Sequence, residues 1–172
     1  MNSISAYESF NKYTQKEYSG HKKRVFSVDW NSSGSKLGSA SSDSSIRIWN
    51  LESQGLDKNI ELKGHSDTVD QISWHPENEN ILGSASTDKT LRIWDIRISK
   101  PNIKVEKTKG SNLNLAWSPD GNLIGVGSKD DVLTFFDFRN NQVLKSIKCD
   151  VEVNEIAWDP TGSLLMITAG VE

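Results

Sequence analysis

The sequence predicts an all-β fold of the propeller class, and three recurring features predict it. Strand-like runs end in Trp30, Trp74, Trp117 and Trp158, at intervals of 44, 43 and 41 residues. A turn-forming segment rich in Pro, Asp, Asn, Ser or Gly follows each tryptophan. A small-residue run and then, in the first three units, a third apolar run close the unit. Short strands repeating every 40–45 or so residues match a propeller blade, a small sheet that buries its faces only against neighbouring blades.

The elements follow in chain order. The first run of each unit is Val25–Trp30, Val69–Trp74, Leu113–Trp117 and Val153–Trp158. Their alternation of apolar and polar residues predicts half-buried strands. The turns are Asn31-Ser32-Ser33-Gly34, His75-Pro76-Glu77-Asn78, Ser118-Pro119-Asp120-Gly121 and Asp159-Pro160-Thr161-Gly162. They offer glycines and Asx residues for tight reversals. Runs such as Leu37-Gly38-Ser39-Ala40-Ser41 and Leu82-Gly83-Ser84-Ala85-Ser86 predict middle strands slim enough for neighbouring blades to approach closely. Ser45–Asn50, Thr90–Asp95 and Val132–Asp137 predict third strands. No amphipathic helical window of useful length interrupts the pattern.

Composition sets the class. The 172 residues carry a net charge of −3, with 25% charged and 35% hydrophobic residues, which describes a globular protein. Clustered Lys and Arg on an alkaline background, the mark of a nucleic-acid binder, are absent. Cys149 is the single cysteine, so no internal disulfide or cysteine-based metal site is expected. Residues 1–20 are polar and of mixed charge, unlike a signal peptide, and no apolar stretch approaches membrane-span length. A soluble intracellular protein is expected, with no membrane association. His21, His65 and His75 lack metal-ligand spacing, and His75-Pro76 reads as a turn. Gly125-Val126-Gly127 lacks the third glycine and the helix of a phosphate loop. Lys22-Lys23-Arg24 and Lys100, Lys104, Lys107 and Lys109 read as solvated loop cations, with contact to an acidic partner as the alternative.

The pairs Gly20-His21 and Gly64-His65, with Trp49-Asn50 and Trp94-Asp95 closing their units, resemble the WD-repeat family. The resemblance runs from about Gly20 to Gly170. It implies units near 20–63, 64–107 and 108–149, an incomplete one at 150–172, and a polar segment at 1–19. The third unit departs from the pattern, with Gly110-Ser111 for Gly-His and Phe136-Asp137 for Trp-Asp. Its equivalents of the serine and aspartate below are Val126 and Asp130, so this blade is expected to depend on apolar packing.

Ser, His and Asp recur in the first two units: His21, Ser39, Asp43 and Trp49, then His65, Ser84, Asp88 and Trp94. The family resemblance implies a buried structural tetrad in which Trp donates to Ser, Ser to His, and His to Asp. Every donor then finds an acceptor, as a low-dielectric interior requires. A catalytic triad would need an exposed nucleophile and an oxyanion hole, and no Gly-x-Ser-x-Gly elbow is present. No catalytic, cofactor-binding or metal-binding residue is therefore expected, nor a small-molecule substrate.

Finer features resemble one branch of the family. Val69-Asp70-Gln71, Lys129-Asp130-Asp131-Val132 and Glu152-Val153-Asn154-Glu155-Ile156 are not demanded by a blade. With their surroundings they resemble the WD-repeat (third) subunit family of the THO complex. The resemblance implies a nuclear, non-catalytic scaffold in mRNA processing and export, with other THO/TREX subunits as protein partners and RNA touched indirectly. An alternative attaches to Trp94-Asp95-Ile96-Arg97, echoed by Phe136-Asp137-Phe138-Arg139. These look like the short motif of cullin-RING ubiquitin-ligase substrate receptors, and would make Arg97 and Arg139 partner contacts. The competing reading makes both arginines strand-end cations paired with nearby carboxylates.

The WD-repeat resemblance also implies a seven-bladed ring, of which about three and a half blades are present. Unit four reaches only Leu164–Thr168, its second strand. Tyr13–Tyr18 reads as an outer strand that completes the last blade of such a ring. The isolated segment is accordingly expected to be poorly soluble, or to exchange its terminal blades rapidly.

Overall fold

The computed structural model describes residues 16–51, 59–98, 100–150 and 152–169. Its elements are all strands. The first sheet holds β1 (Val25–Trp30), β2 (Lys36–Ser41), β3 (Ile46–Asn50) and β4 (Asn59–Leu62). The second holds β5 (Val69–Trp74), β6 (Ile81–Ser86), β7 (Thr90–Asp95) and β8 (Asn102–Lys107). The third holds β9 (Asn112–Trp117), β10 (Leu123–Ser128), β11 (Val132–Asp137) and β12 (Gln142–Lys148). Strands β13 (Val153–Trp158) and β14 (Leu165–Ala169) form a two-stranded fourth sheet. Each sheet is an antiparallel meander in chain order, so the blades are strings of local hairpins.

The turns explain the hairpins. Gly34, Gly121 and Gly162 take φ near +70° between the first and second strands of their sheets. Only glycine enters that region at no steric cost. The reversals between second and third strands instead place Ser44, Lys89 and Asp131 at φ of 65°, 65° and 56°. At the first two, the preceding aspartate accepts the backbone N–H two residues on: Asp43 from Ser45 at 3.0 Å and Asp88 from Thr90 at 2.9 Å. These Asx turns hold a conformation that a non-glycine residue otherwise avoids.

Cores form between blades. Ala40, Ile46, Ile48 and Leu62 of the first sheet pack against Val69, Ile72, Trp74, Leu82 and Trp94 of the second. Ala85, Leu91 and Ile93 meet Leu115, Trp117, Ile124, Val126 and Phe136 at the next seam. Leu133 of the third sheet meets Val153 and Ile156 of the fourth. The slim middle strands permit this approach: a Cβ added to Gly38 would lie 2.7 Å from the Ile72 Cδ1 and 3.1 Å from the Trp74 Nε1.

The strand-end tryptophans couple successive blades. Trp74 Nε1 donates to the Asp29 carbonyl at 3.0 Å, Trp117 to that of Ser73 at 3.0 Å, and Trp158 to that of Ala116 at 3.3 Å. Trp30, on β1, is half exposed. Polar side chains of the inner strands reach the same way. Ser27 accepts the Ile72 N–H at 3.3 Å, Gln71 accepts that of Leu115 at 2.7 Å, and Asp29 accepts that of Trp74 at 2.8 Å.

Of the expected outer strand at Tyr13–Tyr18, Tyr13, Thr14 and Gln15 lie outside the described residues. Lys16, Glu17 and Tyr18 are described and are not in a strand. Tyr18 nevertheless packs its ring 5.4 Å from that of Trp49, two residues before its Gly-His pair. Leu62 occupies the same place before Gly64-His65 and belongs to the core around Trp94.

Candidate functional site: the tetrads and the face they fix

In the first blade, Trp49 Nε1 donates to Ser39 Oγ at 2.9 Å, and Ser39 Oγ lies 2.8 Å from His21 Nε2. The other imidazole nitrogen, Nδ1, lies 3.1 Å from the Asp43 carboxylate. In the second blade, Trp94 to Ser84 is 2.8 Å, Ser84 to His65 is 2.7 Å, and His65 to Asp88 is 2.8 Å. The tautomer that satisfies every atom places the imidazole proton on Nδ1, facing the carboxylate. Ser84 is fully buried and Ser39 nearly so. Each hydroxyl is enclosed between an indole and an imidazole, and neither is open to attack an external carbonyl.

The aspartates do more than receive the imidazole. Asp43 also accepts the Lys22 N–H at 2.8 Å, and Asp88 accepts the Ser66 N–H at 3.0 Å. The loop entering each blade is thereby fastened to the turn between its second and third strands. Ser45 and Thr90 donate their hydroxyls to Asp43 and Asp88, each at 2.6 Å. Sequence reasoning missed both hydroxyls. Their signal is Asp-x-Ser/Thr in the first two units, where the third has Asp130-Asp131-Val132.

Electrostatics favour one charge state. Burial alone would raise the Asp88 carboxyl, but hydrogen bonds from His65, Thr90 and the Ser66 N–H hold it well below the usual carboxylate range. Burial likewise opposes Asp43, and bonds from Ser45, the Lys22 N–H and His21 overcome it. Burial pushes His65 below the ordinary imidazole value despite the attraction of Asp88. The second tetrad is therefore a neutral imidazole on a fixed carboxylate at neutral pH.

The third blade fills the missing imidazole differently. Phe136 is fully buried where the first two blades have tryptophan, and Val126 is buried where they have serine. Gly110 is buried as well, and a Cβ built on it would lie 2.5 Å from the Asp130 carboxylate. The loop backbone itself closes against the aspartate, which a residue with a side chain could not do. Ser111, in the histidine's sequence position, donates back to the Thr87 carbonyl of the second blade at 3.2 Å.

The remaining candidates divide. Arg97 grips its own Asp95 through two bonds, Nε at 2.9 Å and Nη2 at 2.6 Å, while more than half of its side chain stays exposed. Arg139 is exposed at the matching turn. His75 is a turn residue whose Nδ1 accepts the N–H groups of Glu77 and Asn78 at 3.1 and 3.0 Å. Its ring also crosses the seam, 4.8 Å from that of Trp117 and 5.7 Å from that of Phe138. Among the described residues, no group of three or more His, Cys, Asp or Glu could hold a metal ion. No helix there is long and apolar enough to cross a membrane.

Four-stranded meanders packed sheet against sheet, the first two each holding a Trp-Ser-His-Asp relay, are blades of a WD-repeat propeller, and the chain belongs to the WD-repeat family. The profile described as WD domain, G-beta repeat, matches residues 12–50 and 57–95. The profile described as anaphase-promoting complex subunit 4 WD40 domain matches 89–159. The match at 57–95 spans β4 to β7, so a sequence unit straddles two blades and carries the outer strand of the preceding one.

Among individual proteins, the chain is 45% identical over 94% of its length to a protein of Arabidopsis thaliana named THO complex subunit 3. It is 35% identical over 92% to WD repeat-containing protein AAC3 of Dictyostelium discoideum, and 31% identical over 73% to Coronin-2A of Bos taurus. The chain spans 52%, 37% and 26% of those relatives, respectively.

Proposed function

We propose that this chain is part of a WD-repeat subunit of the THO complex, acting as a non-catalytic scaffold in nuclear mRNA processing and export. The observation that carries the reading is the 45% identity to THO complex subunit 3, sustained over 94% of the chain. Such coverage reaches beyond the positions a blade requires, where proteins sharing only the fold diverge. The geometry fits the role, because relays and seams hold short loops rigidly at the blade ends, where binding surfaces are built. Its partners are other THO/TREX subunits, with RNA contacted indirectly. The pairing of Arg97 with its own Asp95 favours the reading of that arginine as a strand-end cation over a ligase-adaptor contact.

Tagged full-length protein, purified from nuclei and cross-linked, tests the proposal. Co-purification of THO subunits, with cross-links to this segment, is the expected result. Recovery with a cullin-RING adaptor and without any THO subunit overturns it.

A further inference from the structure

We propose that the outer rim of the first seam, between β4 and β8, is a docking site for an extended segment of a partner protein that carries aliphatic side chains beside one carboxylate. The first and second blades turn apolar outer strands toward each other there. Ile60 lies opposite Ile48 in the β3–β4 register, and Ile48 faces the second blade in the core around Trp94. Val105 lies opposite Arg92, which shares its side of β7 with Trp94, so Val105 faces the first blade. Ile103 shares that side of β8 by alternation with Lys104. Inward of the rim, Ile48, Leu62 and Trp94 are buried, whereas Ile60, Ile103 and Val105 are 43%, 44% and 40% exposed. Both walls are single strands, which an extended segment can follow residue by residue.

Comparison of successive blades accounts for the aliphatic part. Lys104 lies opposite Ile93 as Ile60 lies opposite Ile48, so the two occupy the same place in their blades. Lys104 bridges the second seam: its amine donates to the Asn141 carbonyl at 3.4 Å and lies 5.6 Å from the centre of the Phe136 ring. An isoleucine in that place makes no polar bridge, and the first rim keeps exposed apolar walls.

The same comparison accounts for the carboxylate. In the first blade Arg47 lies opposite Glu61 and pairs with it at 3.4 Å. Val105 stands in that place in the second blade, and Arg92 has no carboxylate partner among the described residues. The Arg92 guanidinium is nonetheless held in position. Its Nε donates to the Thr90 hydroxyl at 3.3 Å. Its Nη1 donates to the Asn102 amide oxygen at 2.8 Å, with that amide turned to satisfy both of its atoms. A Cβ built on Gly64, in the loop joining the two blades, would lie 2.6 Å from the same Nη1. Nη2 is left for an external acceptor. Lys107, exposed opposite Thr90 on the same side of β8, adds a second cation. The carboxylates of these outer strands are engaged elsewhere, Glu61 by Arg47 and Lys63, and Glu106 by Lys104 at 3.5 Å. A pre-oriented guanidinium beside aliphatic walls takes a carboxylate with directional hydrogen bonds. Protein is favoured over nucleic acid because the exposed wall residues are aliphatic and offer a base no stacking surface.

The inference rests on the scaffold reading and adds the chemistry of a partner. Its test uses purified full-length protein alone, so failure here is distinguishable from absence from a THO assembly. A displayed library of random nonapeptides is selected on the protein, and an enriched peptide is labelled for fluorescence anisotropy beside a labelled oligouridylate. Enriched sequences are expected to share a glutamate or aspartate flanked by aliphatic residues. Replacing that carboxylate by its amide should weaken binding by about tenfold. Val105→Glu gives Arg92 the internal partner that Arg47 already has, so the fold is kept and peptide binding should fall by about tenfold or more. Ile60→Ser, on the opposite wall, should weaken it as well. Leu144→Glu, at an exposed aliphatic residue of β12 in the third blade, leaves it unchanged. Thermal melts show whether each variant remains folded. The proposal is overturned by a selection that yields no such sequence, by undiminished binding of the amide peptide, or by folded Val105 and Ile60 variants that bind normally. Equal loss in the Leu144 variant, or tighter binding of oligouridylate, overturns it too.

Discussion

Trp94 donates its indole N–H to the Ser84 hydroxyl at 2.8 Å, a bond made between two fully buried side chains. Everything further along the second-blade relay depends on it. The Ser84 hydroxyl, with the indole on its lone pair, directs its own hydrogen to His65, which turns its other nitrogen to Asp88.

Removing the far end of that relay should be expensive. Asp88→Ala leaves a buried imidazole N–H, the Thr90 hydroxyl and the Ser66 N–H without their acceptor. A loss of about 1–3 kcal/mol is expected. Asp130→Ala in the third blade removes an exposed carboxylate that faces no imidazole, and should cost less. Urea midpoints of the two variants in the full-length protein check the order; a larger loss at Asp130 contradicts the assignment.

The same relay predicts a pH dependence. The folded-state pKa of His65 is lowered, chiefly by burial. The neutral imidazole therefore contributes stability that is fully present above the unfolded value, about 6.5, and is lost as pH falls below it. Melting temperature should drop between pH 7 and pH 5, and His65→Asn should flatten that slope while lowering stability at pH 7. A residual slope is expected from His75, which burial lowers in the same sense. An unchanged slope in the variant rules His65 out as its source.

Two glycines of the middle strands should respond unequally to alanine. At Gly38 the new methyl group meets Ile72 at 2.7 Å and Trp74 at 3.1 Å, whereas at Gly83 the nearest atoms, on Leu115 and Trp117, are 3.4 and 3.5 Å away. Gly38→Ala is expected to cost about 1–3 kcal/mol through overpacking. Gly83→Ala makes ordinary contacts and should lie near neutral. Denaturant titrations of both variants test whether the first seam is the tighter one.

A second glycine pair separates backbone strain from packing. Gly34 and Gly121 have φ of +70° and +69°. A Cβ on Gly34 has no neighbour within 4 Å, while one on Gly121 would lie 2.2 Å from the His75 Cε1 and 2.4 Å from its Nε2. Gly34→Ala should lose only the left-handed penalty, about 1–2 kcal/mol. Gly121→Ala must also displace the imidazole from Trp117, and should lose more. Comparable melting temperatures for the two would show that His75 moves freely.

The all-β architecture was legible because it is local. Turn residues, two-residue alternation and the Trp interval are written into short stretches, and each blade is a meander of neighbours. The tetrad residues were legible for a related reason: two units repeat the same residues at the same spacing, and the bonds among them close within one blade. The hydroxyls of Ser45 and Thr90 escaped notice because serine and threonine are common in any turn, and only the 2.6 Å approach to Asp43 and Asp88 distinguishes them.

The seams are where sequence stopped and tertiary structure decided. Which carbonyl receives Trp74, Trp117 or Trp158 depends on how one twisted sheet docks on the one before it, and no local pattern encodes that docking. His75 read as a turn residue and is one, yet the docking also carries its ring onto Trp117 and Phe138. Gly110 shows the limit most clearly. The sequence marked a histidine as missing from the third unit, but only packing could determine that the loop backbone, rather than another side chain, would close against Asp130. Close packing leaves no void the size of an imidazole, and glycine lets the chain itself move in.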